Sequence, residues 1–154
     1  MLLLRLLYLL LQCTWGFLQS LLGFLLLLAL GKQRHEWHGF ALMTVYDLSK
    51  VKANRFGSVS LGMFIFVTAP EGAAPDPGLA AHEYGHTFQS LLLGPLYLFA
   101  VGIPSSLWAL RYRAHCAEYE VAGVAYTSRY PEGWAQNWGG LMTRAHARLA
   151  AKNP

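Results

Sequence analysis

From Leu6 to Leu30 the chain runs 25 residues, LLYLLLQCTWGFLQSLLGFLLLLAL, without a single charged side chain. No other feature restricts the fold so strongly, because about 20 consecutive apolar residues are enough to cross a bilayer as a helix. The run predicts a membrane helix within residues 1–31, long enough to span with some tilt. A cleaved signal peptide fits less well: the apolar stretch is longer than a usual h-region, and LALGKQ offers no small-x-small cleavage site. Cys13 is no lipoprotein acceptor either, since Gln12 occupies a position where a small residue is expected. Arg5 and the amino terminus balance Lys32 and Arg34 across the run, so charge does not orient it.

The remaining residues, 32–154, suffice for one domain with its own core. Charged residues make up 13% of the chain and hydrophobic ones 55%, against about 25% charged in ordinary soluble domains. The formal charge of +4 comes from scattered basic residues, and no basic block interleaves with aromatics, which excludes the known nucleic-acid modules. The balance instead suits flanks that face anionic lipid.

A second uncharged run, Leu91 to Leu110, is 20 residues long but contains Gly94, Pro95, Gly102 and Pro104. These interrupt helices, so a re-entrant, interfacial or core segment is predicted for 91–110. Between the two runs, GFALMTVYDL and GSVSLGMFIFV are rich in β-branched and aromatic residues and predict two strands. The polar KVKANRFG between them suggests a turn and an antiparallel pair. With helix-like composition after Ala125, the fold class is α+β.

Residues 80–90, AAHEYGHTFQS, carry the chemistry. Asp76 is suited to an N-cap with Pro77 at the first helical position, and Gly94-Pro95 is a natural stop, predicting a helix over 77–93. His82 and His86 then project from one face a turn apart, so both imidazoles can reach one tetrahedral metal ion. Glu83 lies about 100° round the helix from His82, beside the metal rather than on it, placed as the general base of the H-E-x-x-H arrangement. The competing possibility is a polar face on an amphipathic helix, which leaves the upstream strand, the capped start and the small Gly85 without a reason.

The other histidines are weaker candidates. RHEWH places His35 and His38 around Glu36 directly after the first run and suits an interfacial cluster with Trp37. His115 and Glu118 have helical i, i+3 spacing, common on any solvated face, and His146 is expected to be exposed. A catalytic zinc site takes three protein ligands, and the downstream candidates are Glu118, Glu120 and Glu132.

Here the sequence resembles the gluzincin metallopeptidases, in particular small membrane-bound ones such as the heat-shock and prenyl-protein-processing proteases. In that family H-E-x-x-H is completed by the Glu of an E-x-x-A-D pattern on a second helix. Glu132-Gly133-Trp134-Ala135-Gln136 matches except at its end, where Gln136 replaces the acid that orients a metal-bound histidine. Gln136 can accept a hydrogen bond but brings no charge. Glu118, in a less fitting E-x-x-V-A frame, is the runner-up. The sequence is also similar, over most of residues 58–140, to a group of small bacterial proteins with no established activity that share HEYGHTxQS, GPLYL and a WA…GG segment.

The resemblance implies a minimal zincin-like unit: a small antiparallel strand pair, the H-E-x-x-H helix, the interrupted apolar segment and a second ligand-bearing helix. It further implies Zn2+ held by His82, His86 and Glu132, with Glu83 catalytic. It implies a peptide or protein substrate along strand 58–67 by β-augmentation, and a bacterial inner-membrane location. Tyr119, Tyr126, Tyr130 and His115 are candidates for a transition-state hydrogen-bond donor. If 91–110 crossed the bilayer, His82 and Glu132 would lie on opposite faces, so that segment is expected not to span. The expectation is a membrane-anchored zinc hydrolase, most readily a peptidase. Its alternative is a non-catalytic membrane protein with a structural metal.

Overall fold

The computed structural model describes residues 1–47 and 57–152; the turn expected over KVKANRFG, apart from Gly57, lies outside them. Among the described residues six helices and four strands follow one another. Helices α1 (Leu2–Thr14) and α2 (Phe17–Leu30) precede strands β1 (Arg34–His38), β2 (Ala41–Tyr46), β3 (Val59–Leu61) and β4 (Phe64–Thr68). Then come α3 (Pro77–Leu93), α4 (Ile103–Ala114), α5 (Cys116–Val121) and α6 (Glu132–Lys152).

The strands form one mixed sheet in the order β1-β2-β4-β3. The expected antiparallel pair is corrected here: GFALMTVYDL and GSVSLGMFIFV each contribute to a separate hairpin, and their central strands β2 and β4 pair in parallel, Met43 beside Ile65 and Val45 beside Val67. RHEWH, expected as an interfacial cluster, is strand β1, antiparallel to β2. Segment 58–67 is likewise not one strand but the β3–β4 hairpin. Both hairpin loops start on a glycine with positive φ, Gly39 and Gly62, and no other residue type among those described has positive φ. This is the glycine-first loop that a two-residue type II′ hairpin requires.

Why β2 and β4 lack hydrophobic-polar alternation is clear from what lies on each face. Ala41, Met43, Val45, Ile65 and Val67 pack toward Ala80 and Tyr84 of α3. Tyr46, Phe64 and Phe66 pack toward Leu26, Leu27 and Leu30 of α2. Both faces are covered, as for the strands of parallel sheets.

That second layer changes the account of the first 30 residues. Among the described residues no single helix is long and apolar enough to cross a membrane; α1 and α2 together have the length and composition, but they meet at 95°. The elbow is pinned to α3 by amides hidden in the apolar run. The Gln12 amide donates to Thr87 O at 3.0 Å and its Oε1 accepts from Ser90 Oγ at 3.0 Å. Gln19 Nε2 donates to Ser90 Oγ at 2.9 Å and to Gly94 O at 3.0 Å. Both glutamines are fully buried, whereas Leu3, Leu10, Phe17 and Leu28 are exposed.

Helix α3 spans the expected residues, with Asp76 Oδ1 accepting from Gly78 N at 2.8 Å and Pro77 at its first position. The 91–110 run is interrupted as its glycines and prolines require: a 3-10 turn at Gly94–Leu96 and a π turn at Leu98–Gly102 precede α4. The helix-like composition after Ala125 appears as α6, which runs to Lys152. His146, expected exposed, is partly buried edge-on against Phe40, ring centroids 4.8 Å apart.

Candidate metal centre

The site forms where α3 and α6 cross, and the crossing is close because two glycines face it. A Cβ built on Gly85 would lie 2.0 Å from Ala135 O, and one on Gly139 would lie 1.8 Å from Ala81 O. Neither approach leaves room for a methyl group, which gives Gly85 its reason and explains the first glycine of the WA…GG segment. Close contact here sets Glu132, the first residue of α6, against the two histidines of α3. A carboxylate in the first turn is also favoured by the helix dipole.

His82 Nε2 lies 2.9 Å from Glu132 Oε2, and His86 Nε2 lies 3.4 Å from the same oxygen. One ligand atom from each of the three residues falls within 4.8 Å of the others, and all three side chains are buried. The far nitrogens are also fixed. His82 Nδ1 donates to Gln136 Oε1 at 3.0 Å, and His86 Nδ1 donates to Gln89 Oε1 at 2.7 Å. Gln89 in turn donates to Pro131 O at 3.1 Å, one residue before the ligand carboxylate. With both Nδ1–H groups committed to amide oxygens, both Nε2 atoms point at a common centre, the arrangement that orients metal-binding histidines.

Electrostatics agree with the geometry. Burial opposes the charge on Glu132, but hydrogen bonds from His82 and His86 outweigh it and hold the carboxyl well below the usual range. On His82 burial works against the proton, yet Glu132 and Glu83 raise its pKa. Glu83 is driven the other way: burial raises it, with the histidines opposing and Glu132 adding to the effect. Glu132 Oε1 is buried without a hydrogen-bond partner. A buried carboxylate oxygen without a donor is costly, and together with two converging imidazole lone pairs it fits a divalent cation. The residues His82, His86 and Glu132 can therefore hold a metal ion; nothing in their geometry selects which one.

Of the other sequence candidates, Glu118 is exposed and paired with His115 at 3.2 Å. Tyr119 stacks on Tyr112 and its hydroxyl accepts from Arg111, while the Tyr130 hydroxyl donates to Ala100 O at 2.6 Å. Only Tyr126 reaches the site, its ring 6.3 Å from that of His82. Burial, then the nearby Glu132 charge, push its phenol above the ordinary range and keep it a proton donor. Two further participants carried no role in the sequence. Gln89 is three residues after His86, a spacing that signals a same-face partner; Ser105, on α4, lines the same cavity as Glu83, His86 and Glu132 and left no signal.

Glu83, His86, Tyr126 and Glu132 form the polar end of a cavity of about 520 Å3. Its other walls come from α2, β3 and α4. No family model, curated protein or solved structure matches this chain.

Proposed function

We propose that this protein is a membrane-associated, zinc-dependent hydrolase of gluzincin type that cleaves an amide bond, most simply a peptide bond. The observation that carries the proposal is the buried Glu83 carboxyl beside the His82, His86 and Glu132 cluster, at the end of a cavity large enough for a ligand (about 300–1,000 Å3 is usual). A purely structural metal site has no use for an acid or a cavity there. A His-His-Glu donor set suits zinc, which when bound polarises a carbonyl and brings the pKa of water toward about 7.

The chain's own groups then have definite tasks. Gln136 and Gln89 hold the imidazoles in the tautomer that presents Nε2. Glu83, its pKa raised by burial, takes the proton of the attacking water and passes it to the leaving amine. Tyr126 donates a hydrogen bond to the oxygen on which charge develops. The exposed leucines and phenylalanines of α1, α2 and segment 91–110 seat the protein on or in lipid, because a contiguous apolar face of this size is not left in water. The edge of β3 remains the place for an extended peptide, shortened to three residues by the hairpin.

Metal content and turnover of the detergent-purified chain test the proposal together. Near one zinc per chain is expected. Glu83→Gln should keep that metal and lose about 10²–10⁴-fold in turnover. Retained activity in this variant, or a folded wild type that takes up no metal, would sink the hydrolase.

A further inference from the structure

The cavity beside the metal cluster has its polar and apolar ends in an unusual order. Its lining joins Glu83, Glu132 and Tyr126 to Leu22 of α2 and Ile103 of α4. Leu22 and Ile103 are also exposed, on the helices that show Leu18, Leu25 and Leu107 to the outside. In a water-soluble hydrolase a substrate passes a polar mouth to reach the chemistry. Here two apolar lining residues, Leu22 and Ile103, are exposed on the helices that the proposed function seats in lipid.

The walls also state what fills the space. The hydroxyls of Ser58, just before β3, and of Ser60 on β3 are turned to the protein's own backbone, at Thr68 N (3.1 Å) and Phe64 O (3.5 Å). The Ser60 carbonyl accepts from the Tyr97 hydroxyl at 3.3 Å. A peptide threaded through the cavity would find partners only at the short β3 edge, Ser105 and Ser106, and burying its other amides without a partner is costly. A hydrocarbon chain brings none. A methylene is about the size of a water molecule, roughly 30 Å3, so the cavity of about 520 Å3 has room for about 17 such groups, one long acyl chain with its amide.

We infer that the substrate is an amphiphile with a single long acyl chain, entering sideways from the membrane between α2 and α4. The chain fills the cavity and the amide carbonyl at its end meets the metal cluster. Hydrolysis adds the water oxygen to that carbonyl carbon and breaks the C–N bond; the proton goes to the departing amine, leaving a fatty acid. The inference rests on the hydrolase proposed above and narrows its substrate from peptides in general to acylated amines.

Alkyl hydroxamates test it on the zinc-loaded, full-length protein, since their head group binds zinc and their tail is free to vary. Affinity should rise from acetohydroxamate to dodecanohydroxamate by at least about 100-fold, well within the roughly fourfold per buried methylene that transfer allows. Ala109→Trp, which fills the cavity, should cut that ratio below about 10-fold; Leu26→Trp serves if the first variant does not fold. A flat series in the wild type, or an unchanged slope in the filled variant, overturns the inference while leaving the metal site standing. A leucyl-leucine hydroxamate that binds more tightly than the dodecyl compound overturns it in favour of a peptide. If acetohydroxamate itself does not bind, the zinc site fails instead. The cavity is then probed with the fluorescent fatty acid cis-parinarate, whose equal binding by wild type and Ala109→Trp overturns the acyl-chain assignment.

Discussion

The α3–α6 crossing and the α1–α2 elbow both bury polar side chains, and they do so on opposite terms. At the crossing the buried groups are two imidazoles and two carboxylates, one of them with an oxygen that no donor satisfies. At the elbow they are neutral amides, Gln12 and Gln19, whose NH2 groups find acceptors on α3 or just beyond it. Amides that pair within the protein hold a helix in place at little cost, whereas buried ionisable groups need charge compensation. The elbow leaves only a neutral amide oxygen, Gln19 Oε1, without a donor, whereas the unsatisfied oxygen at the crossing belongs to a carboxylate beside two imidazoles, a group that can hold a cation.

The sharpest way to break this contrast is at the ligand carboxylate. Glu132→Ala should lower zinc affinity by on the order of 10³-fold or more, since it removes one of three protein ligands. Glu118→Ala should leave metal content unchanged, and mass spectrometry of both variants decides. Next comes the crossing itself. Gly85→Ala places a methyl against Ala135 O, and overpacking of this kind costs about 1–3 kcal/mol. It should lower both the thermal midpoint and the zinc affinity, because the same displacement moves Glu132. At the elbow, Gln12→Leu should cost about 1–3 kcal/mol by removing the bond to Thr87 O and leaving the Ser90 hydroxyl proton without its acceptor. Its signature is a lower thermal midpoint with zinc affinity intact, and a variant that loses metal instead would show the two regions to be one unit.

The smallest expected effect is on pH. His82 has its pKa raised by Glu132 and Glu83 against the opposing effect of burial, and a cation must displace its proton to bind. Zinc affinity should thus be constant above that pKa and fall as pH drops through it, by up to tenfold per unit, or about 1.4 kcal/mol. The proton-bridged His82–Glu132 pair of the metal-free chain has the reverse dependence for its histidine, adding stability at low pH that is lost as pH rises through the same value. Melting curves with and without zinc between pH 5 and 8 should therefore diverge as pH increases.

Much of the site could be read directly from the residue order. His82, Glu83 and His86 follow from helical periodicity between Asp76-Pro77 and Gly94, all signals within one turn or two of each other. Glu132 was legible only through the E-x-x-A pattern, and Gln136 keeps the orienting contact to His82 that its missing charge had put in question. Gln89 was visible in the string but had no partner to give it meaning until Pro131 O came beside it.

Local physics decided what the sequence alone determined here: helix caps, the interruption of 91–110 by glycine and proline, and the same-face spacing of the histidines. The tertiary structure decided the rest, because each remaining feature depends on residues far apart in the chain. Twenty-five uncharged residues look like one straight helix until Gln12 and Gln19 meet α3, and until the far face of the sheet needs α2 to cover it. The two strand segments look like an antiparallel pair until burial on both faces makes β2 and β4 parallel neighbours. Gly85 and Gly139 have no meaning singly; only when α3 and α6 touch do they let Glu132 reach two histidines about 50 residues before it.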